Sequence, residues 1–181
     1  MSTQTMTTFT SMIKDGRYSR GYDYRVLVKN APVGLGRAWE FDLRCESISY
    51  PSQNIETTQD NIRPGPIRDH AFGVNYGSVS GTFLDGDQLE LKRFFEDWQR
   101  TVFDPESFKV NYYNDYVADL EISHFKMHDS QSETVTQKPV YQVLLKEVFP
   151  KTVNQLEVGT SNGDFLRVSV EFQYHHWTKI I

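Results

Sequence analysis

The feature that most constrains the fold is a long alternation of apolar and polar residues from Phe165 to Trp177. One phase of this run is predicted to face inward and the other outward: Leu166, Val168, Val170, Phe172 and Tyr174, against Arg167, Ser169, Glu171, Gln173 and His175. A period of two sustained over this length predicts a β-strand with one face on a core and one facing water. The strand before it should end at Pro150, because proline cannot donate a ladder hydrogen bond.

Shorter runs of the same kind predict further strands. We expect them at Tyr22–Lys29, Trp39–Glu46, 77–84, Phe108–Tyr112, Tyr116–Lys126 and Val140–Phe149. The clearest has Trp39, Phe41, Leu43 and Cys45 on one phase, and Glu40, Asp42, Arg44 and Glu46 on the other. Alternating strands of this type form antiparallel sheets with one polar face. The sequence therefore predicts a mainly β fold, an antiparallel β-sandwich or barrel with one α-helix.

One segment has helical spacing instead. Its apolar residues recur every three or four positions: Leu91, Phe94, Phe95, Trp98 and Val102. Asp87 is the expected N-cap, with Glu90 completing a capping box, and Asp104-Pro105 should end the helix. The aromatic stripe is best explained by packing onto a sheet, rather than by a metal or cofactor role.

Residues 49–70 are weakly apolar, and their two prolines flank Gly65. This composition disfavours the centre of a sheet and predicts a protruding hairpin or an extended loop. Such a segment is a candidate arm for contacting a neighbouring copy of the chain, with an ordinary solvated loop as the alternative. The candidate contact residues of the arm are Ile55, Thr57, Ile62, Arg63, Pro64 and Pro66.

Composition limits the classes of function. The chain has 181 residues and a net charge of −5, from 19 Lys+Arg and 24 Asp+Glu, so it lacks a basic nucleic-acid-binding footprint. One cysteine, Cys45, allows no intrachain disulfide, and no apolar run is as long as a membrane span. We expect a flexible segment at 1–20, best explained as a solvated tail rather than a DNA-binding arm, and one domain at 21–181.

No catalytic, cofactor-binding or metal-binding residues are predicted. A metal site needs several ligands at matching spacing, and neighbouring strand residues such as His175 and His176 should point in opposite directions. The sequence has no Gly-x-Ser-x-Gly motif, and Gly34-Leu35-Gly36 has no following helix to form a phosphate site. The chain is therefore not predicted to be an enzyme.

The order of these elements resembles the tail tube proteins of contractile-tailed, T-even-type bacteriophages. The resemblance covers Tyr22 to Trp177 and depends on four pieces: Arg44–Pro51, Phe94–Gln99, Val148–Val153 and the terminal alternating strand. The N-terminal 20 residues and the loop at 128–138 are not matched by the family pattern. They are candidates for a specialised sheath or baseplate contact.

The resemblance implies a structural role. Hexameric rings would stack head to tail into a hollow tube, which closes the open edges of each sheet. The partners would be further copies of the chain, the tail sheath, the baseplate or tube initiator, and the tape measure protein, with no cofactor and no membrane. DNA would pass through the lumen without specific binding. Glu40, Asp42, Arg44 and Glu46 are candidates for the lumen face; the alternative is that they face the sheath.

The sequence also allows three other functions. Two belong to the same class: a baseplate tube-initiator ring, and a tube protein of a related contractile injection or type VI secretion system. The third is an enzyme or carbohydrate-binding β-sandwich, which would expose tryptophans for stacking on sugars. Trp39, Trp98 and Trp177 all occupy apolar phases, which disfavours that function.

Overall fold

The fold was analysed on a computed structural model, which describes residues 24–32, 35, 44–60, 65–125, 139–156 and 165–181. The strands in this part of the chain are β1 (Tyr24–Lys29), β2 (Cys45–Ile48), β3 (Gln53–Asp60), β4 (Arg68–Tyr76), β5 (Val79–Leu84), β6 (Phe103–Asp104), β7 (Lys109–Val110), β8 (Ala118–Phe125), β9 (Pro139–Val153), β10 (Arg167–Gln173) and β11 (His176–Lys179). The helices whose bounds are described are α1 (Glu90–Val102) and α2 (Tyr113–Tyr116). Arg44 is also helical, so this part of the strand predicted at Trp39–Glu46 is wrong. The expected flexible segment 1–20, the loop 128–138 and most of the strand predicted at Trp39–Glu46 lie outside the described residues.

The main sheet is antiparallel and has the strand order β1-β8-β9-β10-β5-β2, with β11 also paired to β9. Strand β9 is 15 residues long and organises this arrangement. It pairs with β8 along one edge and with β10 and β11 along the other. The prediction of a mainly β, antiparallel fold is confirmed.

The core lies between this sheet and helix α1. The predicted stripe of the helix is buried at Leu91, Phe95 and Trp98. The ring of Phe95 lies 5.3 Å from that of Phe83 and 5.8 Å from that of Phe172, in tilted and edge-on geometries that aromatic pairs favour. The indole Nε1–H of Trp98 donates a hydrogen bond of 2.7 Å to the carbonyl of Tyr116, so its polar atom is satisfied in the core.

The start of α1 differs from the prediction. Leu89, with a left-handed φ of 52°, is the N-cap residue, and its side chain makes no capping bond. The carboxylate of Asp85 instead accepts hydrogen bonds from the backbone N–H groups of Leu91 and Lys92, at 3.0 and 3.1 Å. The prediction that Asp87 caps the helix is therefore wrong. The left-handed backbone of Leu89 brings the first turn of α1 close to Asp85, which directly follows β5, so the Asp85 carboxylate caps the helix instead.

The prediction that Pro150 ends a strand is also wrong. Strand β9 continues through Pro150 to Val153. The register against β10 shifts at this point, since Glu171 pairs with Thr152 whereas Phe172 pairs with Pro150. The shift is a β-bulge, one of the places where a strand tolerates the missing N–H of proline.

The terminal alternation is interrupted rather than continuous. Of the predicted inward residues, Val168, Val170, Phe172 and Tyr174 are buried, and Leu166 is half-buried. The ladder then breaks at Tyr174–His175 and resumes as β11. The break shifts the alternation of inward and outward side chains by one residue. The inward side chains of β10 are at even-numbered positions, whereas Trp177, at an odd-numbered position, packs against the core in β11.

Two predicted strands have different bounds in the structure. Of Phe108–Tyr112, only Lys109–Val110 is a strand, because Phe108 has a left-handed φ of 54°. Tyr116, expected at the start of a strand, lies in the four-residue helix α2, so the chain has a second helix besides the predicted one.

Candidate assembly surfaces

The segment predicted to be an arm is a regular β-hairpin. Among the described residues, β3 and β4 form a two-stranded sheet of their own, paired from Gln53 opposite Tyr76 to Asp60 opposite Arg68. The hairpin therefore extends to Tyr76, beyond the predicted limit of 70. Gly65 and the exposed Pro66 lie near its tip, while Ile62, Arg63 and Pro64 are outside the described ranges.

The base of the arm is fixed to the body of the domain. The hydroxyl of Tyr174 donates a hydrogen bond of 3.3 Å to the carbonyl of Ser52, and the ring of Tyr76 lies 6.1 Å from that of Tyr174. Gly77 allows the close approach at this point, since a Cβ there would lie 2.5 Å from the Ser52 hydroxyl. The arm thus projects from a rigid base.

The arm exposes a row of large apolar side chains. Ile55 pairs directly with Val74, and these side chains are 61% and 50% exposed. Phe72 is the extra residue of a bulge between these strands and is 68% exposed. A contiguous apolar surface on a projecting element is typical of a protein–protein contact.

Sequence reasoning placed Ile55, Thr57 and Pro66 on this arm, where the structure also has them. It missed Phe72 and Val74, which belong to β4. The signal was present, because Phe72, Val74 and Tyr76 alternate with smaller or polar residues.

A second surface, here called the hydroxyl face, is formed by outward side chains of β5 and β10. Thr82 and Ser169 lie opposite each other with their hydroxyl oxygens 3.3 Å apart. Next to them, Glu171 accepts hydrogen bonds from Ser78 and Thr152 and lies 3.8 Å from the ammonium group of Lys151. The hydrogen bond from Ser78, followed by the charge of Lys151, lowers the pKa of the Glu171 carboxyl.

The charges of the hydroxyl face are paired. Arg167 donates to Glu46 over 2.7 Å, and Lys151 faces Glu171. The positive charges of these two basic groups are therefore offset by the negative charges of the two acidic groups. A polyanion in contact with it would meet hydroxyls and neutralised pairs rather than an excess of positive charge.

Of the four residues predicted for a lumen row, the described ranges include Arg44 and Glu46. Arg44 forms an ion pair of 3.0 Å with Glu90 at the start of α1, whereas Glu46 contacts Arg167 on the hydroxyl face. The structure therefore gives these two residues different partners. Glu40 and Asp42 fall in a range that the structure does not describe.

A groove of about 620 Å³ lies between the C-terminal end of α1 and strand β9. The residues that line it are Glu96, Gln99, Arg100, Val102, Phe103, Pro105, Phe149, Pro150 and Lys151. This set includes no Ser, Cys or His, and Gln99 already donates to the carbonyls of Pro150 and Lys151. The lining therefore contains no Ser–His or Cys–His pair of the kind used in acyl transfer.

Two further features bear on function. Within the described ranges, no three His, Cys, Asp or Glu side chains converge on a common point as metal ligands, and no helix is long and apolar enough to cross a membrane. Trp98 is fully buried and Trp177 packs against the core, so neither forms an exposed sugar-stacking platform. Trp39 is outside the described residues.

The sequence matches the phage tail tube protein family over residues 9–180, almost its whole length. The match includes the loop at 128–138 and residues 9–20, contrary to the prediction that these segments lie outside the family pattern. The chain belongs to this family. The resemblance inferred from the order of the elements is therefore confirmed. The family consists of structural tube proteins. No curated protein matches the sequence significantly.

Solved structures with the same fold come from contractile injection systems. A chain of the sheath–tube complex of the extracellular injection system PVC, in its extended state, has a TM-score of 0.63 at 12% identity, covering 94% of this tail tube protein and 96% of that chain. A chain of the tube-terminating cap of the anti-feeding prophage has a TM-score of 0.64 at 10% identity, covering 90% of each chain. A chain of the anti-feeding prophage baseplate has a TM-score of 0.57 at 19% identity, covering 87% of this chain and 90% of that one. At these identities the similarity establishes the fold alone.

Proposed function

We propose that this protein is the main subunit of the tail tube of a contractile-tailed phage. Hexameric rings of the chain stack into a hollow conduit, and DNA passes through the lumen during ejection into the host. The family match over residues 9–180 carries the proposal. The tail sheath surrounds the tube, the baseplate or its tube initiator starts it, and the tape measure protein occupies it. The protein then functions in the virion tail, after assembly in the host cytoplasm.

The arm supports self-assembly. An isolated two-stranded hairpin is marginally stable in water, so a hairpin that exposes Ile55, Phe72 and Val74 gains stability from a covering partner. Copies of the same chain supply that partner in a ring or a stack. We assign the contact to the apolar residues of β3 and β4, together with Thr57 and Pro66 and, from the sequence alone, Ile62, Arg63 and Pro64.

The family match also supports assembly through the sheet, because a strand edge that is left open pairs readily with another chain. Pairing between subunits extends the sheet around the ring. The inner barrel of the tube is then formed by strands from every subunit.

We propose that the hydroxyl face lines the lumen together with Glu40, Asp42 and Glu46 of the predicted row, whereas Arg44 pairs with Glu90 at the start of α1 instead. Phosphate contacts to unpaired Lys or Arg would hold DNA in a salt-dependent manner. The pairs Arg167–Glu46 and Lys151–Glu171 remove that excess charge, and hydroxyls such as Thr82 leave the surface hydrated. DNA therefore slides along this face.

A second candidate function is a ring protein of another contractile device. It would be a baseplate tube initiator, or the tube protein of a contractile injection or type VI secretion system. The similarity to chains of the anti-feeding prophage baseplate and of the PVC sheath–tube complex favours it. Self-assembly distinguishes the two roles, because a main tube protein polymerises alone whereas an initiator stops at a single ring.

The test is electron microscopy of the purified protein, with a variant that lacks the arm. Gln53 pairs directly with Tyr76, so residues 54–75 can be replaced by an Asn-Gly turn without disturbing the base. The unaltered protein is expected to form rings or tubes with a central channel, and the armless variant to stay folded but to form no stacked tubes. A full-length protein that stays monomeric at high concentration, with baseplate components present, would overturn the proposed function.

A further inference from the structure

The groove beside the C-terminal end of α1 continues into an exposed aromatic surface. The ring of Phe103, which lines the groove, lies 6.3 Å from the ring of Phe108, and Phe108 is 78% exposed. On the β9 side, the ring of Phe149 packs edge-on against that of Tyr116, 5.5 Å away. The groove volume of about 620 Å³ is within the range of about 300–1,000 Å³ that is usual for binding pockets. The groove is therefore large enough and apolar enough to hold a short apolar segment of a partner.

The hairpin of β6 and β7 holds this aromatic surface in a fixed arrangement. The backbone N–H of Phe108 donates a hydrogen bond of 2.9 Å to the carbonyl of Asp104, whose carboxylate accepts one of 3.0 Å from the N–H of Glu106. The side-chain amide of Asn111 donates to the carbonyl of Thr101 over 2.9 Å, which ties the hairpin to α1. Phe108 has a left-handed φ of 54°, and backbone strain of this kind is concentrated at functional positions. A preformed surface loses little entropy when a partner binds to it.

The end of the arm has the composition that such a groove accepts. The described part of this end, here called the arm tip, is residues 65–67. It consists of Gly65, with a φ of 143°, followed by the exposed Pro66 and by Ile67, which is 64% exposed. Segments that contain proline dock in aromatic-lined grooves, because the fixed φ of proline reduces the entropy lost on binding.

The geometry favours a contact between two copies of the chain. None of the described residues that line the groove belongs to the arm of the same copy. Strand β3 has eight residues, which span about 27 Å at about 3.4 Å per residue. The radius of gyration expected for a domain of about 160 residues is about 15 Å. The arm is therefore long enough to cross to a neighbouring copy.

The net charges of the arm and of the groove have opposite signs. Residues 53–76 contain three acidic and two basic side chains, a net charge of −1 with neutral histidine. The groove is lined by two basic side chains and one acidic side chain, a net charge of +1. The side chain of Arg100 is 68% exposed and lies 3.6 Å from that of Asp97. Since an exposed ion pair of this kind contributes little energy, the guanidinium of Arg100 can turn towards a carboxylate of the arm, such as the exposed Asp69.

We propose that the arm tip of one copy docks in the groove of a neighbouring copy. Pro66 and Ile67 pack against Phe103 and Phe149, and Asp69 lies close to Arg100. This proposal rests on the proposed self-assembly into a tube, and it identifies the surface that receives the arm. The contact joins two different surfaces of the chain, so it repeats from copy to copy in a ring or a stack.

The test is disulfide crosslinking between two variants of the full-length protein, both made with Cys45→Ser. One variant carries Ile67→Cys and the other Phe103→Cys, and they are mixed under mild oxidation. A disulfide requires Cα atoms within about 7 Å, so the crosslinked peptide, identified by mass spectrometry, reports the contact. Docking raises the local concentration of the two thiols, so the dimer should form at least about tenfold faster than in the control mixture.

The control mixture combines Ile67→Cys with Phe165→Cys. Phe165 is 75% exposed and lies next to Leu166, whose carbonyl accepts a hydrogen bond from the N–H of Asp85, close to the other end of α1. Circular dichroism checks that each variant is folded. If Phe103→Cys unfolds, Arg100→Cys replaces it, since this exposed side chain also lines the groove.

Electron microscopy of the same mixtures separates the two levels of the argument. Rings or tubes that form while the crosslink between residues 67 and 103 is no faster than the control would overturn the docking site and leave the tail tube function standing. A protein that forms neither rings nor tubes would overturn both.

Discussion

Ile55 and Val74 face each other across the arm, and at least half of each side chain is exposed to solvent. Replacing both with serine should abolish ring stacking, because it removes the apolar surface that a second copy would cover. The fold should be unaffected, since exposed positions contribute little to folding stability. Negative-stain microscopy and the thermal midpoint measure the two effects separately.

The control for this variant lies on the other face of the same hairpin. Thr58 lies three residues after Ile55 in β3, so its side chain is on the opposite face of the hairpin from Ile55. Its partner His70 lies on that opposite face as well. Replacing both with alanine should leave assembly intact. Equal loss of tubes in both variants would mean that the arm acts through its overall conformation rather than through its apolar face.

Asp85 should stabilise the helix start more than Asp87 does. Asp85→Ala removes the acceptor for the N–H groups of Leu91 and Lys92 and is expected to lower the free energy of unfolding by about 0.5–2 kcal/mol. Asp87→Ala should change it by less than about 0.5 kcal/mol. Urea denaturation of both variants gives the comparison, and a larger effect at Asp87 would contradict the capping geometry.

Adjacent phenylalanines on α1 should differ strongly in their contribution to stability. Phe95 is fully buried between Phe83 and Phe172, and Phe95→Ala is expected to cost about 3–5 kcal/mol in the free energy of unfolding. Phe94 is half-buried, so Phe94→Ala should cost clearly less. Equal costs in chemical denaturation would show that the helix packs in a different rotation.

Glu171 should make stability depend on pH on the acid side. Its pKa is lowered in the folded state by the hydrogen bond from Ser78 and by Lys151, so the unfolded chain binds a proton more readily than the folded one. The stabilisation is fully present above the unfolded pKa, near 4.5, and is lost as pH falls through the lower folded pKa. Carbon-detected NMR titration of the carboxyl should show a higher pKa in Ser78→Ala.

The same titration also provides the counter-test. Thr152→Ala removes a weaker hydrogen bond to Glu171, so it should raise the carboxyl pKa by less than Ser78→Ala does. An unchanged pKa in Ser78→Ala would mean that the serine hydroxyl does not donate to Glu171 in solution.

Periodicity predicted most of the fold, because each strand and helix here buries one face. The stripe Leu91, Phe95 and Trp98 and the inward row ending at Tyr174 are buried as expected. Periodicity does not reveal where the hydrogen bonding between two strands is interrupted. The bulge that accommodates Pro150 and the break at His175 depend on the partner strand β9, which a local pattern does not reveal.

The site was less predictable than the fold for a related reason. The arm was located by its prolines, but its apolar residues Phe72 and Val74 belong to the returning strand, where the contact depends on pairing with β3. The cap at Asp85 depends on the left-handed backbone of Leu89, which a non-glycine residue rarely adopts. The prediction that His175 and His176 point in opposite directions is wrong, since their Nδ1 atoms form a hydrogen bond of 2.8 Å. This contact depends on the same interruption that shifts the phase of the terminal strand.

The position of β9, with hydrogen-bonded neighbours along both edges, has a mechanical consequence. A load applied along this strand acts on many inter-strand bonds at once, in shear, so they must rupture together. A load that peels one strand from its neighbour breaks the bonds one after another and meets less resistance. Within the described strands, the sheet therefore resists a load best along β9.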